Sequence, residues 1–313
     1  MRAVHLIVPF AAPLSDAGRA ALSRLELPRL RELLARLPVR VRDDGDETSF
    51  SPPHERALAR ELGFAGGDGQ LPWAAWHAAG DGVSAEILGD LAWGELTPAH
   101  WQLGTEQVSF LDPAQLALGD AGSHAFFEAV APLFTSEGFV LRWGAPLRWY
   151  LAHESLAELR TASPDRVIGR HVDAWLTEQP AVRLVRRLQN EVQMLLYTHP
   201  LNDEREARGL PTVNSFWLSG CGPAQPLRGR VPALDERLRT PALNEDWDAW
   251  SREWAALDAG PVAELLAARV RGQAVRLTLC GERAGVTCEA GGAWQALRAR
   301  LARPAPQALL ETL

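Results

Sequence analysis

The run His199-Pro200-Leu201-Asn202-Asp203-Glu204-Arg205 is followed closely by Leu210-Pro211-Thr212-Val213-Asn214-Ser215-Phe216-Trp217-Leu218-Ser219-Gly220-Cys221-Gly222. These residues decide how the rest of the chain reads. A polar His/Asn/Arg group comes first, then a β-rich apolar run, Val213 to Leu218, that opens into Gly-Cys-Gly. In open α/β sheets ligands seat beyond the carboxyl ends of strands. Glycines there bring backbone N–H groups close to an anion, and Arg205 carries a fork that fits a carboxylate or phosphate. Asparagines equally fix turns by bonding backbone, and glycines turn a chain without binding anything. The candidate ligand set is His199, Asn202, Arg205, Asn214, Gly220 and Gly222. Cys221 joins it as a thiol whose pKa would fall if the flanking N–H groups point at its sulfur.

Outward from this run, the pattern is one of alternating elements. Pro180 to Tyr197 has proline at its start and apolar Val182, Val185, Leu188, Val192, Leu195 and Leu196 at helical steps. Val4 to Val8 reads as a first strand. A helix from Ser15 or Asp16 runs toward Leu37 and breaks or kinks at Pro28, and Pro52-Pro53 opens a helix from His54 to Leu62. Leu91 to Leu96 and Gln107 to Leu111 read as strands, with Thr97 to Trp101 as a turn or strand edge between them. Phe139 to Trp143 and Arg148 to Leu151 form a hairpin. Trp247, Trp250 and Trp254 stripe one helix face, which faces either the core or a protein partner. Ala274 to Leu279 and Gly285 to Cys288 pair as strands with Cys280 and Cys288 across from each other, and Trp294 to Leu301 is a late helix. The expected fold is a three-layer α/β/α arrangement with a mixed or mainly parallel sheet, as one domain over residues 1–313. The Pro- and Arg-rich stretch 223–241 is where a small second lobe or excursion would begin.

Composition removes several function classes. Hydrophobic residues at 47% and charged residues at 23% are a globular balance, which excludes a mainly disordered chain. A net charge of -7 disfavours nucleic-acid and anionic-membrane binding. No apolar run reaches the roughly 18 residues of a transmembrane helix. Three cysteines exclude a disulfide framework and fit a reducing cytoplasm. All 32 basic side chains are arginine, so a lysine Schiff base, a Walker lysine and a Ser-Lys dyad are excluded. The eight histidines are scattered, with no pair two or four apart, so no preformed zinc motif exists.

The stretch from His199 to Gly222 resembles the His-Pro-x-Asn, Arg, Gly-x-Pro-x-Asn, Gly-x-Gly signature of archaeal-type cofactor-independent phosphoglycerate mutases, members of the alkaline-phosphatase-like superfamily. The wider pattern is similar to a bacterial family labelled regulatory protein RpfE. It adds Leu96-Thr97-Pro98-Ala99-His100-Trp101, Leu111-Asp112-Pro113 and Arg148-Trp149-Tyr150-Leu151, and brings His100 into the candidate set. The resemblance implies an alkaline-phosphatase-like fold and, in active members, two divalent metals with a Ser or Thr nucleophile.

The chain departs from that pattern where metals would bind. The first strand runs into Pro9-Phe10-Ala11-Ala12 instead of an Asp, and the late strand ends in Cys280-Gly281-Glu282. No Asp-His dipeptide occurs anywhere. The expectation is therefore a non-catalytic, phosphoglycerate-mutase-like protein with no metal or other cofactor, binding a small anionic metabolite or a protein partner. The alternatives are a divalent-metal phosphoryl-transfer enzyme with rearranged ligands, drawing on Asp16, Glu282 or His100, and an interaction scaffold.

Overall fold

Proline and capping side chains set most helix starts in the computed structural model, which describes residues 4–84, 87, 89–104, 108–177, 179–290 and 305–313. In chain order the principal elements begin with Val4–Val8 (β1), Asp16–Ser23 (α1), Pro28–Leu34 (α2), Val39–Asp43 (β2), Pro53–Leu62 (α3) and Trp73–Gly80 (α4). Next come Ala92–Ala99 (β3), Trp101–Leu103 (β4), Val108–Phe110 (β5), Asp120–Thr135 (α5), Val140–Ala145 (β6) and Arg148–Ala152 (β7). Pro180–Tyr197 (α6), Pro200–Ala207 (α7), Ser215–Pro223 (β8) and Ala233–Leu234 (β9) follow. The chain closes with Trp247–Leu257 (α8), Ala263–Val270 (α9), Val275–Cys280 (β10), Gly285–Glu289 (β11) and Pro306–Leu310 (α10). The helix expected at Trp294 to Leu301 lies outside the described residues. No helix among them is long and apolar enough to cross a membrane.

The chain divides into two units. Unit 1 comprises residues 1–48, 52–63 and 228–313, and unit 2 comprises 49–51 and 64–227. The return to unit 1 at 227/228 falls inside the 223–241 stretch.

Unit 1 holds a mixed five-stranded sheet in the order β2-β11-β10-β1-β9. β1 runs parallel to β10 and β9, and β11 pairs antiparallel with β10 and β2. One face, with Leu6, Val8, Leu277 and Leu279, packs on leucines of α1 and α2 and on Trp250, Trp254 and Leu257 of α8. α3 covers the opposite face, where His5 Nε2 lies 2.8 Å from Thr278 Oγ1 and Arg276 donates to Glu61. Burial lowers the His5 pKa. Trp250 and Trp254 are fully buried, and the Trp250 indole donates to the Phe10 carbonyl at 2.9 Å. The stripe therefore faces the core and not a partner.

One local detail corrects the sequence reading in unit 1, and a second decides between its alternatives. The β10–β11 register sets Cys280 opposite Gly285 and Cys288 opposite Leu277, so the two thiols do not face each other. The break at Pro28 is complete, giving two helices. Leu27, which precedes α2, has no capping side chain. Asp258, 4% exposed, supplies the cap instead, accepting from Arg29 N at 3.1 Å and Leu30 N at 2.7 Å. Replacing it leaves two helix-start N–H groups without partners. Asp258→Ala is expected to cost about 2 kcal/mol in urea unfolding. A loss below about 0.5 kcal/mol would show that the cap is dispensable.

Unit 2 has an antiparallel sheet, β6-β7-β3-β8, and a separate β4–β5 pair. All neighbouring strands of this sheet are antiparallel; a turn joins β6 to β7, while the connection from β7 to β8 carries α6 and α7. Leu96, Trp149, Leu151, Phe216 and Leu218 face α5 and α6. Trp93, Tyr150 and Ala152 face Ala74, Ala75 and Ala78 of α4. Helices thus cover both faces of each unit's sheet, which is the expected α/β/α layering.

Of the two readings of Thr97 to Trp101, the strand edge is the one found: β3 continues to Ala99, and Pro98 pairs with Phe216 of β8. Its missing N–H is tolerated because β7 pairs only with Trp93 to Leu96, so Pro98 has no strand on its other side.

Candidate functional site

Four of the six candidates from 199–222, His199, Asn202, Arg205 and Asn214, spend their side chains on backbone groups. Asn202, 4% exposed, donates from Nδ2 to the carbonyls of Leu196 and Val213 at 2.9 and 2.8 Å and accepts from Val213 N at 2.9 Å. Arg205 donates from Nε to Pro211 O at 2.8 Å and from its terminal nitrogen to Leu116 O. Asn214 accepts from Trp101 N and donates to Trp101 O. His199 caps α7 by accepting from Leu201 N, and His100 donates from Nδ1 to Thr212 O at 2.8 Å. An anion at Arg205 would have to displace two carbonyls from a buried guanidinium.

Gly220 and Gly222 do not end β8 in a turn; they lie inside it. Gly220 has φ +63, and a β-carbon there would sit 2.9 Å from Trp73 Cβ and Ala74 N. A bulge opposite Trp93 and Glu95 accompanies them. These glycines let α4 press against the strand. Cys221 between them is buried, and burial pushes its thiol up to about 12. That is the reverse of an activated thiol.

The carboxyl ends of β1 and β10 are where the resemblance would place two metals. Phe10 follows β1 with φ 54, and its ring lies 5.5 Å from that of His54. Glu282, beyond β10, accepts from Leu14 N at 3.0 Å. Asp16 is exposed at the start of α1. Among the described residues no group of three His, Cys, Asp or Glu is placed to hold a metal ion. Paired divalent ions need several such groups converging.

A different cluster in unit 2 joins polar chemistry to a cavity. It is built by three elements. β3 is buried throughout, yet carries Glu95, 8% exposed. The β3–β7 register sets Glu95 opposite Tyr150. Arg148 and Tyr150, two apart on β7, share a face, and so do His77 and Asp81, four apart at the end of α4. His77 Nδ1 lies 2.7 Å from Glu95 Oε2. Asp81 accepts from Arg148 Nε and Nη2 at 2.9 and 2.7 Å and from the Tyr150 hydroxyl at 2.5 Å.

Charge follows from these contacts. Burial alone would raise the Asp81 pKa, but the hydrogen bonds from Arg148 and Tyr150 outweigh it and hold the carboxyl below its ordinary value. The Asp81 hydrogen bond keeps Arg148 charged more firmly than usual. Burial, then the bond to Asp81, raises Tyr150 far above the phenol range. Gly144 permits the packing: a β-carbon there would meet Tyr150 Cε2 at 2.3 Å and Asp81 Oδ2 at 2.8 Å.

His77, Asp81 and Arg148 line one side of a cavity of about 610 Å³, and Phe64, Pro72, Trp76 and Leu227 form apolar wall. Small-molecule sites typically fall between roughly 300 and 1,000 Å³ with mostly apolar walls. Sequence reading missed His77, Asp81 and Glu95 and quoted Arg148 and Tyr150 without a role. A carboxylate inside an apolar strand, Glu95, was the available signal.

No family profile matches the chain, and no curated protein matches it. Solved structures do. The cofactor-independent phosphoglycerate mutase from Thermoplasma acidophilum DSM 1728 is 13% identical, over 93% of this chain and 90% of that one, with a TM-score of 0.37. The PH0037 protein from Pyrococcus horikoshii is 13% identical, over 93% of this chain and 88% of that one, with a TM-score of 0.43.

Proposed function

We propose that this chain is a non-catalytic, phosphoglycerate-mutase-like protein that binds a small molecule in the unit 2 cavity. The observation that carries the reading is the wall of that cavity. A carboxylate-backed imidazole and an Asp81–Arg148–Tyr150 cluster stand beside Trp76 and Phe64, around a space sized for a metabolite. The signature-like run at 199–222 supports the family reading, while its polar atoms serve the backbone. The absence of converging ligands at the ends of β1 and β10 favours binding over metal-assisted phosphoryl transfer.

Two measurements test this. Titration with millimolar Mn²⁺ or Mg²⁺ by calorimetry is expected to give no stoichiometric heat; two bound equivalents would restore the enzyme reading. A fragment screen by ligand-observed NMR is expected to yield binders that Trp76→Ala weakens about tenfold or more, the loss expected for an aromatic wall residue. If every binder is indifferent to Trp76, the ligand site lies elsewhere.

A further inference from the structure

The cavity's polar groups differ in what they have left to offer. Gln225 is closed on Ala65, donating to its carbonyl at 2.6 Å and accepting from its N–H at 2.8 Å. The Arg148 fork lies on Asp81, so its charge meets a carboxylate before it meets a ligand. Tyr150 gives its proton to the same carboxylate. His77 is different. Its ring lines the cavity, and its Nδ1 faces a carboxylate, which can only accept, so Nδ1 carries the proton. Nε2 has no hydrogen-bond partner among the described residues, and in the neutral ring it is an acceptor.

Electrostatics then decide the ligand's sign. Asp81 and Arg148 neutralise each other, so the wall offers an incoming anion no surplus cation, and the Glu95 carboxylate lies behind the imidazole. An uncharged ligand needs no such cation. Its apolar body would rest on Trp76, Phe64 and Leu227, and one donor would reach the imidazole.

We propose that the cavity takes an uncharged aromatic molecule bearing one hydroxyl or N–H, donated to His77 Nε2. This rests on the cavity being the ligand site, and the probes separate the two claims. The test uses the full chain with 2-naphthol, 2-methoxynaphthalene and 2-naphthoate, followed by calorimetry. One hydrogen bond to the imidazole is worth about tenfold in affinity. 2-Naphthol is therefore expected to bind about tenfold tighter than its methyl ether, and 2-naphthoate more weakly than 2-naphthol. His77→Phe is expected to bring 2-naphthol down to the level of the ether. Equal binding of naphthol and ether by the unaltered protein, which needs no variant to fold, overturns the donor inference and leaves the cavity in place. Tightest binding by 2-naphthoate overturns it in favour of an anion. Failure of all three to bind at millimolar concentration, or binding unaffected by Trp76→Ala, overturns the cavity reading as well.

Discussion

Above pH 9, each buried cysteine is expected to cost its unit about 1.4 kcal/mol per pH unit. Burial raises Cys221, Cys280 and Cys288 from 9.0 to about 12. In the unfolded chain the thiols ionise near 9 and the native state cannot follow until about 12. Their contribution is intact below pH 9 and drains as pH rises toward 12. Unit 1 carries Cys280 and Cys288, whereas unit 2 carries Cys221. Unit 1 should thus lose about 2.8 kcal/mol per pH unit from these groups, twice the loss of unit 2. Denaturant unfolding between pH 9 and 11, resolved by unit through hydrogen exchange, measures this. Cys288→Ala should halve the slope of unit 1. An unchanged slope would mean that water reaches the thiols in the folded state.

Asn202→Ala is expected to destabilise unit 2 by about 3 kcal/mol, from three hydrogen bonds of roughly 1 kcal/mol each. The substitution leaves Val213 N without its acceptor and removes one donor each from Leu196 O and Val213 O, in a site that is 4% exposed. Asn202→Asp should cost a comparable amount, because a carboxylate cannot donate to Leu196 O and Val213 O. Thermal unfolding distinguishes this staple from a ligand contact: a variant that melts normally and only loses ligand affinity would return Asn202 to the binding set.

Elements whose signals are local were readable in the sequence. Pro180–Tyr197 has its proline start and apolar steps, Pro53–Leu62 has proline before it and Gly63 after it, and the β6–β7 hairpin brackets its turn. Elements set by tertiary contact were not. The Gly-Cys-Gly run reads as a turn because glycine permits one, yet here the same freedom lets a helix approach a strand. The site was hidden for a related reason. His77, Glu95 and Tyr150 are separated by tens of residues, and only the β3–β7 register and the α4 packing bring them together.

The pairing of Val4 with Val275 bears on how the chain is made. β1 is synthesised early, but its partner β10 is translated some 270 residues later, after every residue of unit 2. At a few to about 20 residues per second, the nascent β1 waits for at least ten seconds or so with its hydrogen-bonding edges open. Unit 2, contiguous apart from three residues, can reach its native state on the ribosome in that interval. Truncation between Leu227 and Val275 would therefore release a finished insert on an unfinished host, with an apolar strand, Leu6 to Val8, left to chaperones or to aggregation.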